Sequence, residues 1–196
     1  MPTMEEIVYF ENTAKCAENT RTVVSTVERY LAAHPVKHVV AASCTGYVGA
    51  KFAPLKQSHA KLNVVAVKMA PAIDKLYNVK VSPAHVRTMQ EAGVTFLGGT
   101  HVLTGGADRA LRAKFQGYPP TAIVAETLYL FSQGMKVAVE IIAMACDAGV
   151  LPEGVEVIAV GGTGHGADTA IVATSAASAN LFDLDVHRIL TLPLKK

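Results

Sequence analysis

The sequence predicts an α/β fold with parallel strands, and three observations point there. Short apolar runs at residues 7–10, 37–42, 62–67 and 94–97 alternate with segments of helical spacing. That alternation implies right-handed crossovers, which gather the carboxyl ends of the strands along one edge. Within the third run, Val64, Val65 and Val67 give the near-continuous apolar pattern of a strand buried on both faces. Finally, 51% hydrophobic against 17% charged residues in 196 is enough for a buried core in one domain without metals or disulfides.

Element by element, residues 7–10 read as a short first strand, and the loop 11–17 leads into a helix from about Asn19 to Ala33. Val23, Val24, Val27, Tyr30 and Leu31 fall on one face of it. The strand at 37–42 precedes a helix through Lys51 that is expected to end near Pro54. After the strand at 62–67, Ser82 and Pro83 open a helix that runs to about Gly93. The strand at 94–97 is followed by helices at 107–115, 120–131 and 135–148, rich in Ala, Val, Ile and Leu. Strands at 155–160, 169–174 and 187–192 close the chain. No linker, repeat or low-complexity tract divides it, so residues 1–196 are read as a single domain.

Three small-residue loops follow strands. In the first, Ser43, Cys44, Thr45 and Gly46 lead into a helix, so hydroxyls, backbone N–H groups and the helix N-terminus can converge on a phosphate. Ser and Thr also cap helices with no ligand present, and both readings stay open. The second loop holds Gly161, Gly162, Thr163, Gly164, His165, Gly166, Asp168 and Thr169. Glycines at this density serve no hydrophobic core and let backbone approach a ligand closely. The spacing G-G-x-G-x-G, followed by a strand, departs from the nicotinamide Rossmann fingerprint and argues against it, leaving a tight hairpin as the plain alternative. The third loop carries His101, Thr104 and Gly105. In open α/β sheets ligands sit at this edge, where strand order reverses.

Individual side chains have competing readings. His101 either acts on a ligand, since it titrates near neutrality, or hydrogen-bonds neighbouring backbone. Asp168 either holds ligand hydroxyls or caps the glycine loop. Glu140, in an apolar helical stretch, needs a donor partner if buried, but the commoner arrangement faces it to solvent or a partner subunit. A helix N-terminus beside Cys44 would lower its thiol pKa, although no base accompanies it. Lys68 is a candidate phosphate or ligand contact, with a solvated lysine as the default.

Composition narrows the classes further. A net charge of +2 from 18 basic and 16 acidic residues forms no basic stripe, which argues against nucleic acid or anionic membrane. The acidic opening lacks the pattern of a signal peptide, and the longest apolar run, 137–145, is broken by Glu140 and too short to span a bilayer. Cys16, Cys44 and Cys146 form no C-x-x-C pair, consistent with reduced thiols in a cytoplasmic protein. The seven histidines show no metal-ligand spacing, so no metal site is expected. The apolar helices at 120–148 exceed what one sheet covers, which predicts a homo-oligomer.

Several motifs occur together along the chain: Tyr9-Phe10, Glu18-Asn19-Thr20, Ala42-Ser43-Cys44-Thr45-Gly46, His101-Val102-Leu103-Thr104-Gly105, Val139-Glu140-Ile141, Ala145-Cys146-Asp147-Ala148-Gly149, Gly161-Gly162 through Gly166-Ala167-Asp168-Thr169-Ala170, and Asn180-Leu181-Phe182-Asp183. In these the chain resembles small archaeal and bacterial proteins related to the C-terminal α/β domain of pyruvate kinase. The resemblance implies a three-layer α/β/α fold with a mixed, mostly parallel sheet and a bound flavin mononucleotide (FMN). It places the flavin phosphate at the Ser43 turn, where the pyruvate kinase domain holds a phosphate of its sugar bisphosphate activator. Relatives often carry an arginine where this chain has His165, and a Pro-Gly-Arg or Pro-Gly-Lys run where it has Ala14-Lys15-Cys16-Ala17. The catalytic barrel of pyruvate kinase is absent. The functional expectation is a flavin-binding protein, as an oxidoreductase of unnamed substrate, with a non-catalytic sensor of a phosphorylated metabolite as the alternative.

Overall fold

A computed structural model describes residues 6–194. The acidic opening at 1–5 lies outside them. The elements are β1 (Val8–Phe10), α1 (Cys16–Ala33), β2 (His38–Ala42), α2 (Tyr47–Ser58), β3 (Asn63–Met69), α3 (Pro71–Leu76), α4 (Pro83–Glu91), β4 (Thr95–Gly99), α5 (Ala107–Phe115), α6 (Pro120–Tyr129), α7 (Gln133–Asp147), β5 (Glu156–Gly161), β6 (Thr169–Thr174), a 3-10 helix (Ser178–Asp183) and β7 (Asp185–Pro193).

The strands form one sheet in the order β1-β7-β6-β5-β2-β3-β4. Every pairing is parallel except those of β6 with β5 and β7, so β6 alone runs against the rest. The sheet is mixed and mostly parallel, with helices on both faces, in agreement with a three-layer α/β/α arrangement. One core lies between the sheet and α1, α2 and α4, and includes Val23, Phe52, Val64 and Met89. The other lies under α7 and includes Val40, Val65, Ile142 and Ile171. β4 is the edge at which the chain turns back: β2 and β3 lead to helices on the first face, and β4 leads through α5 and α6 to α7 on the second.

Two local readings are corrected, and two short elements are added. Helix α2 does not stop near Pro54 but carries it internally and continues to Ser58. A mid-helix proline costs on the order of 3 kcal/mol. Burying Phe52 and Leu55 on the same helix offsets this, at roughly 1.5–3 kcal/mol for each side chain. The short helix α3 and the 3-10 helix carry no apolar period long enough to be read from sequence. Glycine 161, read as having no packing role, is a packing residue. A Cβ there would sit 2.2 Å from Gly134 O and 3.1 Å from Ala138 N, so glycine is what lets α7 press onto the end of β5.

The apolar helices expected to exceed the sheet's capacity divide into two kinds. Nearly all of α7 is buried, from Gly134 to Cys146. Apolar surface remains on and around α5 and α6, at Phe115, Ile123, Leu130 and Phe131.

Replacing Gly161 with alanine is expected to destabilise the fold by about 3 kcal/mol, because backbone rather than a pliable side chain must move. Urea denaturation followed by circular dichroism measures this, and an unchanged midpoint would contradict the close approach.

Candidate functional site

A cavity of about 840 Å³ opens at the carboxyl ends of β2 and β3, walled by α7 and bounded by the loops that follow β4 and β5. The chain reverses direction across the sheet at this edge, so adjacent loops part to opposite faces and leave a crevice. All three small-residue loops reach it. Ser43, Cys44, Thr45, Lys68, His101, Thr104, Gly105, Gly162, Gly164, His165 and Gly166 line the cavity. Gly46, Gly161, Thr163, Asp168 and Thr169 do not; they shape the lining loops from behind.

The first loop is held tightly. Ser43 is buried, and its Oγ accepts a hydrogen bond from Gly49 N–H at 2.9 Å while its own N–H donates to Val67 O at 2.7 Å. The hydroxyl thus caps α2, as the plain reading of the turn anticipates, and its proton remains available to donate. Gly46 has φ of +85°, and a Cβ would come 2.9 Å from His85 Cβ, so both backbone and space require glycine there. Cys44 departs from expectation. Burial outweighs the helix terminus and pushes its thiol above the ordinary range, with Asp74 adding to the rise.

Lysine 68 is not solvated. Its Nζ donates to Asp74 Oδ2 at 2.5 Å and to Met69 O at 3.1 Å, a pair that fixes α3 beside the cavity. The other oxygen, Asp74 Oδ1, is buried with no hydrogen-bond partner among the described residues.

The loop after β5 is anchored from two sides. Asp168, 3% exposed, accepts from Thr163 N–H and from the Thr169 hydroxyl, so its two oxygens hold the loop rather than face the cavity. Thr20 of α1 accepts from Ala167 N–H at 2.9 Å and donates to Cys16 O at 2.6 Å. His165, at the exposed tip, remains free to meet a ligand at the cavity mouth.

The loop after β4 rests on a carboxylate whose commoner arrangement would face solvent or a partner subunit; here it takes the buried one, with donor partners. Glu140 is 2% exposed. Its Oε1 accepts from Leu103 N–H at 2.8 Å and Thr104 N–H at 3.1 Å, and its Oε2 pairs with Lys136 Nζ at 2.5 Å. The signal available in sequence was the Lys136-to-Glu140 spacing, one helical turn inside an apolar stretch. His101 Nδ1 lies 2.8 Å from Thr104 O; a carbonyl only accepts, so Nδ1 carries the proton and a neutral ring leaves Nε2 as acceptor. Arg109, Arg112, Tyr129 and Gln133 also line the cavity and were not anticipated. Burial raises the Tyr129 phenol above its ordinary value, so it stays protonated through neutral pH.

Of the small residues near the strand ends, Ala42 and Gly162 line the cavity, whereas Ala41, Gly98, Gly99 and Gly161 do not. The apolar lining comes instead from Val67, Met69 and Ile73 on one side and Val137, Ile141 and Met144 on the other. No protein-family model matches the chain. Among the described residues, no group of three or more His, Cys, Asp or Glu side chains is placed to hold a metal ion, and no helix is long and apolar enough to cross a membrane.

Because the Cys44 pKa is raised, its thiolate is scarce at neutral pH. Alkylation of Cys44 by iodoacetamide, followed by peptide mass spectrometry, is expected to be slow at pH 7 and to keep accelerating above about pH 8.5. A rate already level below that pH would show a lowered thiol pKa instead.

Proposed function

We propose that this protein binds flavin mononucleotide, with the phosphate at the turn of Ser43, Thr45 and Gly46 and the flavin running past the loop 161–169 along the apolar lining. The observation that carries this reading is the convergence of the three small-residue loops on one crevice of about 840 Å³. Cofactor sites commonly occupy roughly 300–1,000 Å³ and combine apolar walls with a few placed polar groups. Paired walls of Val67, Met69 and Ile73 against Val137, Ile141 and Met144 suit a flat ring system. The start of α2 and the Ser43 hydroxyl proton suit a phosphate. The resemblance to the pyruvate kinase-related proteins supports the same ligand.

When bound, the flavin would supply electron transfer, which makes an oxidoreductase the reaction class if the protein turns over a substrate. The chain's own contribution would be to bind, to exclude water with its apolar walls, and to offer a proton-exchanging group at His101. A second reading, a sensor of a phosphorylated metabolite, is favoured by the polar side chains Thr104, Asp108 and Gln133 in the same cavity, which suit sugar hydroxyls.

Titration with FMN, followed by its visible spectrum, is expected to give a shifted spectrum and a dissociation constant at or below the micromolar range. Riboflavin, lacking the phosphate, is expected to bind at least tenfold more weakly, a difference of about 1.4 kcal/mol. No spectral change at millimolar flavin, together with calorimetric binding of a sugar bisphosphate, would replace this reading with the sensor.

A further inference from the structure

The α7 wall of the cavity holds a buried ammonium whose hydrogen-bonding capacity is only partly used. Lys136 is 3% exposed, and its Nζ has one acceptor among the described residues, Glu140 Oε2. An ammonium carries three N–H donors. Glu140 is already engaged by three donors: two backbone N–H groups on Oε1 and Lys136 on Oε2. A buried cation is accommodated beside an opposite charge, and Glu140 supplies that charge. The spare donors of Lys136 therefore call for an acceptor from outside the chain, and both residues line the cavity.

The surroundings define the acceptor. Lys68, Arg109, Arg112 and Lys136 line the cavity with the acidic Asp108 and Glu140; counting Asp74, which pairs with Lys68, the cations still exceed the acids, so the cavity favours an anion. The same helix presents Val137, Ile141 and Met144 to the cavity, so the body of the ligand is apolar. Next to the Glu140 carboxylate, a singly charged group is repelled less than a doubly charged one.

We propose that Lys136 is the binding cation of a subsite on α7, separate from the Ser43 turn, that takes the carboxylate of a small apolar carboxylic acid. The assignment rests on the cavity and the ion pair and does not depend on flavin binding. Glu140 acts through Lys136 as a positioning residue, holding the ammonium in place. Thr104 and Tyr129, on the same wall, bound the space beside it.

Calorimetry on the full chain with benzoate and its uncharged isostere benzamide tests the proposal, with and without added FMN. Benzoate is expected to bind the unaltered protein at least tenfold more tightly than benzamide without FMN, and bound FMN, seated on the same Val137, Ile141 and Met144 wall, is expected to weaken benzoate binding. That preference is expected to vanish in K136M. The double substitution K136M/E140Q removes both charges together, so no lone buried charge remains to unfold it, and it is expected to keep the native circular dichroism while losing the preference. Equal binding of benzoate and benzamide by the unaltered protein, or a preference that survives in the folded double variant, would overturn the proposal. Inorganic phosphate displacing benzoate at lower concentration than benzoate itself requires would also overturn it, assigning the subsite to phosphate. Loss of flavin binding with the benzoate preference intact would sink the flavin reading alone.

Discussion

The cavity depends on one buried carboxylate. Glu140 lies deep in α7, a helix with almost no exposed surface, and an unpaired charge there would cost several kcal/mol. Three donors meet it: Lys136 from its own helix and the backbone N–H groups of Leu103 and Thr104 from the loop after β4. Removing one partner of such a pair costs about 3–5 kcal/mol, a large share of the 5–15 kcal/mol that stabilises an ordinary domain. The pair is therefore a weak source of net stability and a strong constraint on geometry. It permits one position of the loop 101–106 against α7, and that position fixes the wall of the cavity.

The rest of the architecture brings that helix to the strand ends. Gly161 and Gly134 let α7 and β5 meet backbone to backbone, and Ser132 caps the helix by accepting from Met135 N–H at 2.8 Å while touching the Thr169 hydroxyl at 3.1 Å. Thr169 in turn bonds Asp168, which holds the loop 161–169, and Thr20 ties Ala167 of that loop to α1. The loop after β5 is thus braced from both faces of the sheet. The close approach at Gly161 serves this bracing, and glycine's freedom at Gly46 serves the turn after β2. Among the side chains that face the cavity, the ammonium of Lys136, the ring nitrogen Nε2 of His101 and the exposed His165 have capacity to spare.

Much of this was legible in the sequence, for physical reasons. Parallel strands buried on both faces, such as β3, read as continuous apolar runs, and Ser82-Pro83 marks a helix start by chemistry that tertiary contacts did not override. The loops were recognisable because Ser, Thr and Gly in clusters have few structural uses. Whether a small residue faces ligand or packing was not legible: Gly161 and Gly162 are neighbours in sequence, yet the first meets α7 and the second lines the cavity. The order of the sheet, with β1 beside β7 and β2 beside β5, depends on pairings across the whole chain. Glu140 was misjudged because carboxylates are usually exposed, and its decisive partners are backbone groups 36 and 37 residues away. The Cys44 thiol was misjudged because a helix terminus is visible in sequence and the depth of burial is not.

The account rests on the bond between Glu140 and the loop after β4, and amide hydrogen exchange of Leu103 and Thr104 measures it most directly. Both amides lie in a segment without regular secondary structure, where exchange would otherwise be fast. If Glu140 holds them, their exchange is slowed by about a thousandfold or more, equivalent to ~4 kcal/mol of local opening free energy. Exchange of both at the rate of an open loop, while the amides of α7 remain protected, would contradict the account.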